Sequence, residues 1–199
     1  MRTQHDCLTR RFGLISGLLA LSASTLHAHP LHTNMSGLAS GIVHPLLGFD
    51  HLLAMVAVGL WAAQLGGRAL WLVPGSFLAM VVAGGAAGFA GVPVPFAEQG
   101  VAASIVVLGL LIVMAARLPV WSGMAVVGAF ALFHGHAHAV ELTAGLSATA
   151  YTLGFVLTTA GLHLIGIALG VLAQRRRQLL VLRLAGASLL LAGLISLGA

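Results

Sequence analysis

Residues 119–141 end in Phe133-His134-Gly135-His136-Ala137-His138-Ala139-Val140-Glu141, and this stretch decides how the chain is read. Everything before Phe133 in it is apolar or small, and the segment follows Arg117-Leu118-Pro119, a charged and helix-starting joint. A helix needs about 20 largely apolar residues to cross a bilayer, and this segment has the length. It also carries three histidines and a carboxylate where lipid tails would lie. Polar groups in that position are costly and are retained for a function. On a helix His134 and His138 are four residues apart and Glu141 is three beyond, so all three share a face. An i, i+4 histidine pair with a neighbouring carboxylate can hold a divalent cation. His136 is turned by about 200° from His134, onto another cavity wall or into packing and a hydrogen bond, the latter being favoured.

Outward from this segment the pattern repeats. Apolar stretches of spanning length lie near 36–64, 69–91, 97–116, 119–141, 148–173 and 179–198. The joints hold Gly66-Gly67-Arg68, Gly91-Val92-Pro93-Val94-Pro95, Arg117-Leu118-Pro119, Gly145 and Arg175-Arg176-Arg177. The expected fold is all-α: a polytopic membrane protein with six transmembrane helices. The composition agrees. Hydrophobic residues make up 59% and charged residues 7% of the 199, against about 25% charged in soluble domains. The 26 glycines suit close helix approach in a membrane. Gly84-Gly85-x-x-Gly88-x-x-Gly91 is one such run, able to pack within the chain or between chains.

Residues 1–28 read as a cleaved signal peptide. Arg2, Arg10 and Arg11 precede the apolar run Phe12 to Ser24, and Leu26-His27-Ala28 offers a cleavage site. The remaining 29–199 form the six-helix transmembrane domain. The mature N-terminus is then outside, and Arg68, Arg117, Arg175, Arg176, Arg177 and Arg183 all fall on the cytoplasmic side, as the positive-inside rule requires. The expected location is the bacterial cytoplasmic membrane. The net charge of +5 does not indicate nucleic acid, because the chain has no Lys and its nine Arg are scattered. There is no Walker motif for a nucleotide. The single cysteine, Cys7, lies in the signal segment, so thiolate metal sites and disulfides are excluded from the mature chain.

A second polar motif sits in the first span: His44-Pro45-Leu46-Leu47-Gly48-Phe49-Asp50-His51, followed by Leu52-Leu53-Ala54-Met55. An Asp at mid-helix costs roughly 2.5–3.5 kcal/mol on insertion scales. His44 and His51 are about 10 Å apart along a regular helix, too far for one ion. Pro45 and Gly48 predict a kink or break that brings His44 towards Asp50 and His51. Met55 offers a thioether one turn on, although ordinary packing explains it as well. Glu98 begins the third span at the same outer rim, and His163 lies at mid-depth in the fifth, as plausibly a packing residue as a ligand. The start of the mature chain, His29-Pro30-Leu31-His32, could collect metal through His29 and His32 or be a frayed tail.

These motifs resemble the HupE/UreJ family of nickel permeases. The resemblance rests on the signal with a His-rich start, on His-Pro-x-x-Gly-x-Asp-His, and on Phe-His-Gly-x-Ala-His-x-x-Glu, with Ala139 where the family has Gly. It implies transport of divalent nickel, or cobalt, into the cytoplasm without ATP or a prosthetic group, indirectly serving hydrogenase or urease maturation. It carries over onto His44, Asp50 and His51, and onto His134, His138 and Glu141. Imidazole and carboxylate donors suit Ni, Co, Zn or Mn. Competing readings are a haem-based electron carrier, an intramembrane zinc enzyme built on His134, His138 and Glu141, and a metal-binding sensor or accessory protein without transport. The first has no use for Asp50 and Glu141, and the second lacks His-Glu-x-x-His and an acid/base group.

Overall fold

The computed structural model describes residues 36–142 and 144–198. The expected signal segment, with His29 and His32, lies outside the described residues. Within them the fold is all helical: α1 Gly37–Leu47, α2 Phe49–Leu65, α3 Ala69–Phe89, α4 Ala97–Val113, α5 Val120–Val140, α6 Ala148–Arg175 and α7 Leu179–Gly198.

Local chemistry sets the ends. Ser36 and Ser147 cap α1 and α6, each side chain accepting from the backbone N–H three residues on at 3.3 Å. Pro119 precedes α5, and Gly66 and Gly67 turn the chain after α2 with positive φ. The predicted break in the first span exists, and it falls at Gly48 rather than Pro45. Pro45 stays inside α1, while Gly48 is extended (φ −78°, ψ 104°) and the two helices meet at 81°. Gly48 is the residue that fits here: a Cβ would lie 2.8 Å from His51 Nδ1 and 3.4 Å from Asp50 Oδ1.

The main packing partners are α3 with α5, α4 with α7, and α6 with both α1 and α2. The seams are built on backbone approach. At Gly135 of α5 a Cβ would strike the Val81 carbonyl of α3, and Gly84 meets the backbone of Leu132 in the same way. The Gly84-Gly85-Gly88 run therefore packs within the chain. Trp61, Phe77, Met55, Ile105, Leu108 and Ile112 are fully buried between the helices.

The outside is apolar. Leu153, Leu157, Leu164, Ile165 and Leu169 of α6 are each more than half exposed, as are Leu191 and Leu194 of α7. So continuous an apolar exterior is unstable in water, and lipid is the solvent it fits. Four helices (α3, α5, α6 and α7) are long and apolar enough to cross a membrane, and the bent pair α1–α2 makes a fifth. The remaining expected span, 97–116, is shorter than anticipated. Helix α4 has 17 residues, opens with Glu98 and Gln99, and ends before Ala115, whose φ is 49°. Among the described residues four or five candidate spans thus stand where six were expected, in a multi-pass membrane protein.

Candidate metal site

The break at Gly48 places His44 at the end of α1 and His51 in the first turn of α2, both facing the last two turns of α5. The His51 ring lies 4.1 Å from that of His138 and 5.1 Å from that of His134, while the His44 ring is 4.6 Å from His138. Two sets of donors result: His51, His134 and His138, and His44, His138 and Glu141. Within each set one donor atom per residue comes within 4.8 Å of the others. His138 belongs to both. The expected face of His134, His138 and Glu141 is thereby divided. His134 faces inward with His51, and Glu141 pairs with His44 at 3.0 Å.

Hydrogen bonds fix which ring nitrogens are free. Asp50 Oδ1 accepts from the backbone N–H and from Nδ1–H of His51, both at 2.9 Å. The proton is then on Nδ1, and His51 Nε2 keeps its lone pair. Ser104 does the equivalent for His134. Its hydroxyl donates to the Val101 carbonyl at 2.6 Å, so its oxygen accepts from His134 Nε2–H at 3.0 Å, leaving Nδ1 free. Both nitrogens of His138 are buried without a hydrogen-bond partner among the described residues, Nδ1 standing 3.6 Å from Glu141. His51 Nε2 and His134 Nδ1 are equally unpartnered. Leaving buried polar atoms unpaired costs about 1–3 kcal/mol each. Free imidazole nitrogens on three converging rings suit a shared Lewis acid, and the donor set fits a borderline divalent cation.

The site lies beside a cavity of about 360 Å³. It is lined by His44, Asp50, His51, Glu98, Glu141 and Ser196 among others, from the α1–α2 break and the ends of α4, α5 and α7 that share one side of the bundle. Glu141, just beyond α5, is the exposed acceptor at its rim.

A family model described as HupE / UreJ protein matches residues 17–196. The chain belongs to the HupE/UreJ family. Protein HupE of Rhizobium leguminosarum bv. viciae is 41% identical over 186 residues, covering 92% of this chain and 96% of that one. No solved structure matches.

In this HupE/UreJ chain His44, His51, His134, His138 and Glu141 come together, while Asp50 orients His51 instead of joining either donor set. Glu98 lines the cavity but enters neither set. His136 donates from Nε2 to the Val92 carbonyl at 2.9 Å, the packed, hydrogen-bonded role the sequence favoured. Met55 lies off the site: its sulfur accepts from Thr159 at 3.3 Å and its carbonyl from His163 Nδ1–H at 2.8 Å. Sequence reasoning missed Ser104, Ser196, Tyr151 and Phe155. The Tyr151 and Phe155 rings pack on His44 and His138 respectively. Ser104 carries no motif signal. Only its position six residues after Glu98 on one apolar helix could have suggested it.

Proposed function

We propose that this protein is a permease carrying divalent nickel, with cobalt as the alternative cargo, into the cytoplasm across the cytoplasmic membrane. The observation that carries the reading is the set of buried imidazoles, with free nitrogens on His51, His134 and His138, beside a cavity open at one end of the bundle. The family membership supports it.

The two donor sets make a stepwise path. His44 and Glu141 meet a hydrated ion at the mouth and exchange water for imidazole and carboxylate. His138, common to both sets, then swings the ion to His51 and His134 without releasing it. Sharing a ligand lowers the barrier to transfer, as conduction between adjacent sites requires. Asp50 and Ser104 hold the inner rings in the tautomers that present a lone pair, so loading requires no proton transfer. Divalent charge moving inward is favoured by the membrane potential at roughly 2.3 kcal/mol per charge per 100 mV, and the chain needs no nucleotide.

In this reading six helices span after removal of residues 1–28, α4 being the short one, and the cavity opens to the periplasm. Arg68, Arg117 and Arg175 then lie at the opposite, cytoplasmic end. The exposed Trp71 and Trp121, near the starts of α3 and α5, belong to that interface. The test is nickel uptake by proteoliposomes of His44→Ala, Asp50→Asn, His138→Ala and Glu141→Gln. Each is expected to cut uptake by about tenfold or more with normal insertion. Wild-type uptake in all four would contradict the two-set site, and tight binding with no entry in the parent would favour an accessory, metal-holding role.

A further inference from the structure

One face of α6 continues inward from the site. Tyr151, Phe155, Thr159 and His163 follow at four-residue spacing, all buried. Tyr151 packs on His44 and Phe155 on His138, so this face runs alongside the donor sets in order. At 1.5 Å per residue, Thr159 and His163 lie about 6 and 12 Å deeper than Phe155. On antiparallel α5, His134 is about 6 Å deeper than His138. His163 is therefore the next imidazole beyond His134 on the way inward, roughly one further turn down.

Its chemistry is set as that of the site histidines is. His163 is 1% exposed. Its Nδ1–H donates to the Met55 carbonyl at 2.8 Å, so Nε2 is the unprotonated nitrogen, and it is buried with no hydrogen-bond partner among the described residues. The helix seam holds it in place, since Gly59 and Gly166 bring the α2 and α6 backbones into contact around its carbonyl. Phe77 packs against both this ring and the His134 ring of the site. The Phe77 ring lies 5.0 Å from the His163 ring and 5.4 Å from the His134 ring, and Phe77 is 1% exposed.

We propose that His163 is a second ion station and Phe77 the partition before it. The Nε2 of His163 takes the divalent cation from the His51–His134–His138 set when the Phe77 ring moves aside, a step that rests on the permease reading above. One bond from metal to imidazole forms as others break, and no proton moves because Nε2 is already free. A single imidazole holds the ion less tightly than the set above it, which suits onward release. The closed Phe77 ring keeps a continuous wet path from forming.

The test uses the full chain with nickel alone. His163→Asn keeps a donor for the Met55 carbonyl and deletes the free nitrogen. It is expected to bind nickel in detergent within about twofold of the parent while proteoliposome uptake falls about tenfold or more. Uptake within about twofold of the parent, or loss of binding together with uptake, would overturn the proposal. A second arm needs no transport. Phe77→Ala, by removing the partition, is expected to add one weaker nickel ion per chain to the number the parent binds at equilibrium, and adding His163→Asn is expected to remove it. An unchanged stoichiometry in Phe77→Ala would overturn the station even in a protein that proves not to transport, whereas absent uptake by the parent would count against the permease reading alone.

Discussion

Ser104→Ala removes one oxygen from a fully buried position more than one helix turn below Glu98, and it is expected to weaken nickel binding although Ser104 touches no ion in the proposed path. The hydroxyl gives its proton to the Val101 carbonyl and accepts from His134 Nε2–H at 3.0 Å. Without it that N–H has no partner in a site with 0% exposure, at a cost of about 1–3 kcal/mol. The ring can relieve the cost by moving its proton to Nδ1 or by rotating, and either change takes Nδ1 away from the ion. Groups that orient a metal-binding histidine typically contribute about 10- to 100-fold in affinity. The assay is equilibrium binding of nickel to the purified protein, with uptake at sub-saturating nickel as the second readout. A weakening of about tenfold or more is expected in both, with thermal stability lowered by no more than about 3 kcal/mol. Affinity within about twofold of the parent would refute the tautomer assignment, because an oriented Nδ1 donor is all that the serine supplies.

Gly48→Ala should lower nickel affinity by about tenfold, since its Cβ would sit 2.8 Å from His51 Nδ1 and push apart the pair with Asp50; binding to the purified variant checks this. His136→Ala should keep nickel affinity within about twofold and lose about 1–3 kcal/mol of stability, because its role is the bond to Val92; thermal unfolding beside a binding isotherm separates the two. Gly135→Ala should yield little folded protein, as the new methyl would fall on the Val81 backbone, which cannot give way as a side chain would; recovery of a monodisperse peak after extraction reads this out. Nickel binding should weaken as pH falls, because in the proposed site a proton and the ion compete for the same imidazole nitrogens; isotherms over a pH series test it.

The helical membrane architecture was legible because it is written in long apolar stretches and in the punctuation between them, such as Gly66-Gly67 and Arg117-Leu118-Pro119. The break near His44 was legible for the same reason: a Pro and a Gly inside a span leave few alternatives. Its position at Gly48 was not, because it depends on the room needed by the His51–Asp50 pair. The donor residues could be picked out by their cost in lipid, but their grouping could not. One-helix geometry joins Glu141 to His134 and His138, whereas the 81° bend between α1 and α2 leaves His44 beside Glu141 and His51 beside His134. Ser104, Phe77 and Thr159 are ordinary residues in apolar helices, and only tertiary packing gives them meaning. The short α4 was obscured by hydropathy that continues through Met114-Ala115-Ala116 after the helix has ended.

The most direct test of the central claim is uptake of radioactive nickel into proteoliposomes holding the purified protein, with cobalt, zinc and manganese as competitors. Saturable entry that cobalt competes with best, abolished in His138→Ala, is the expected result. Saturable binding without accumulation inside the vesicles, or entry undiminished in His138→Ala, would contradict it.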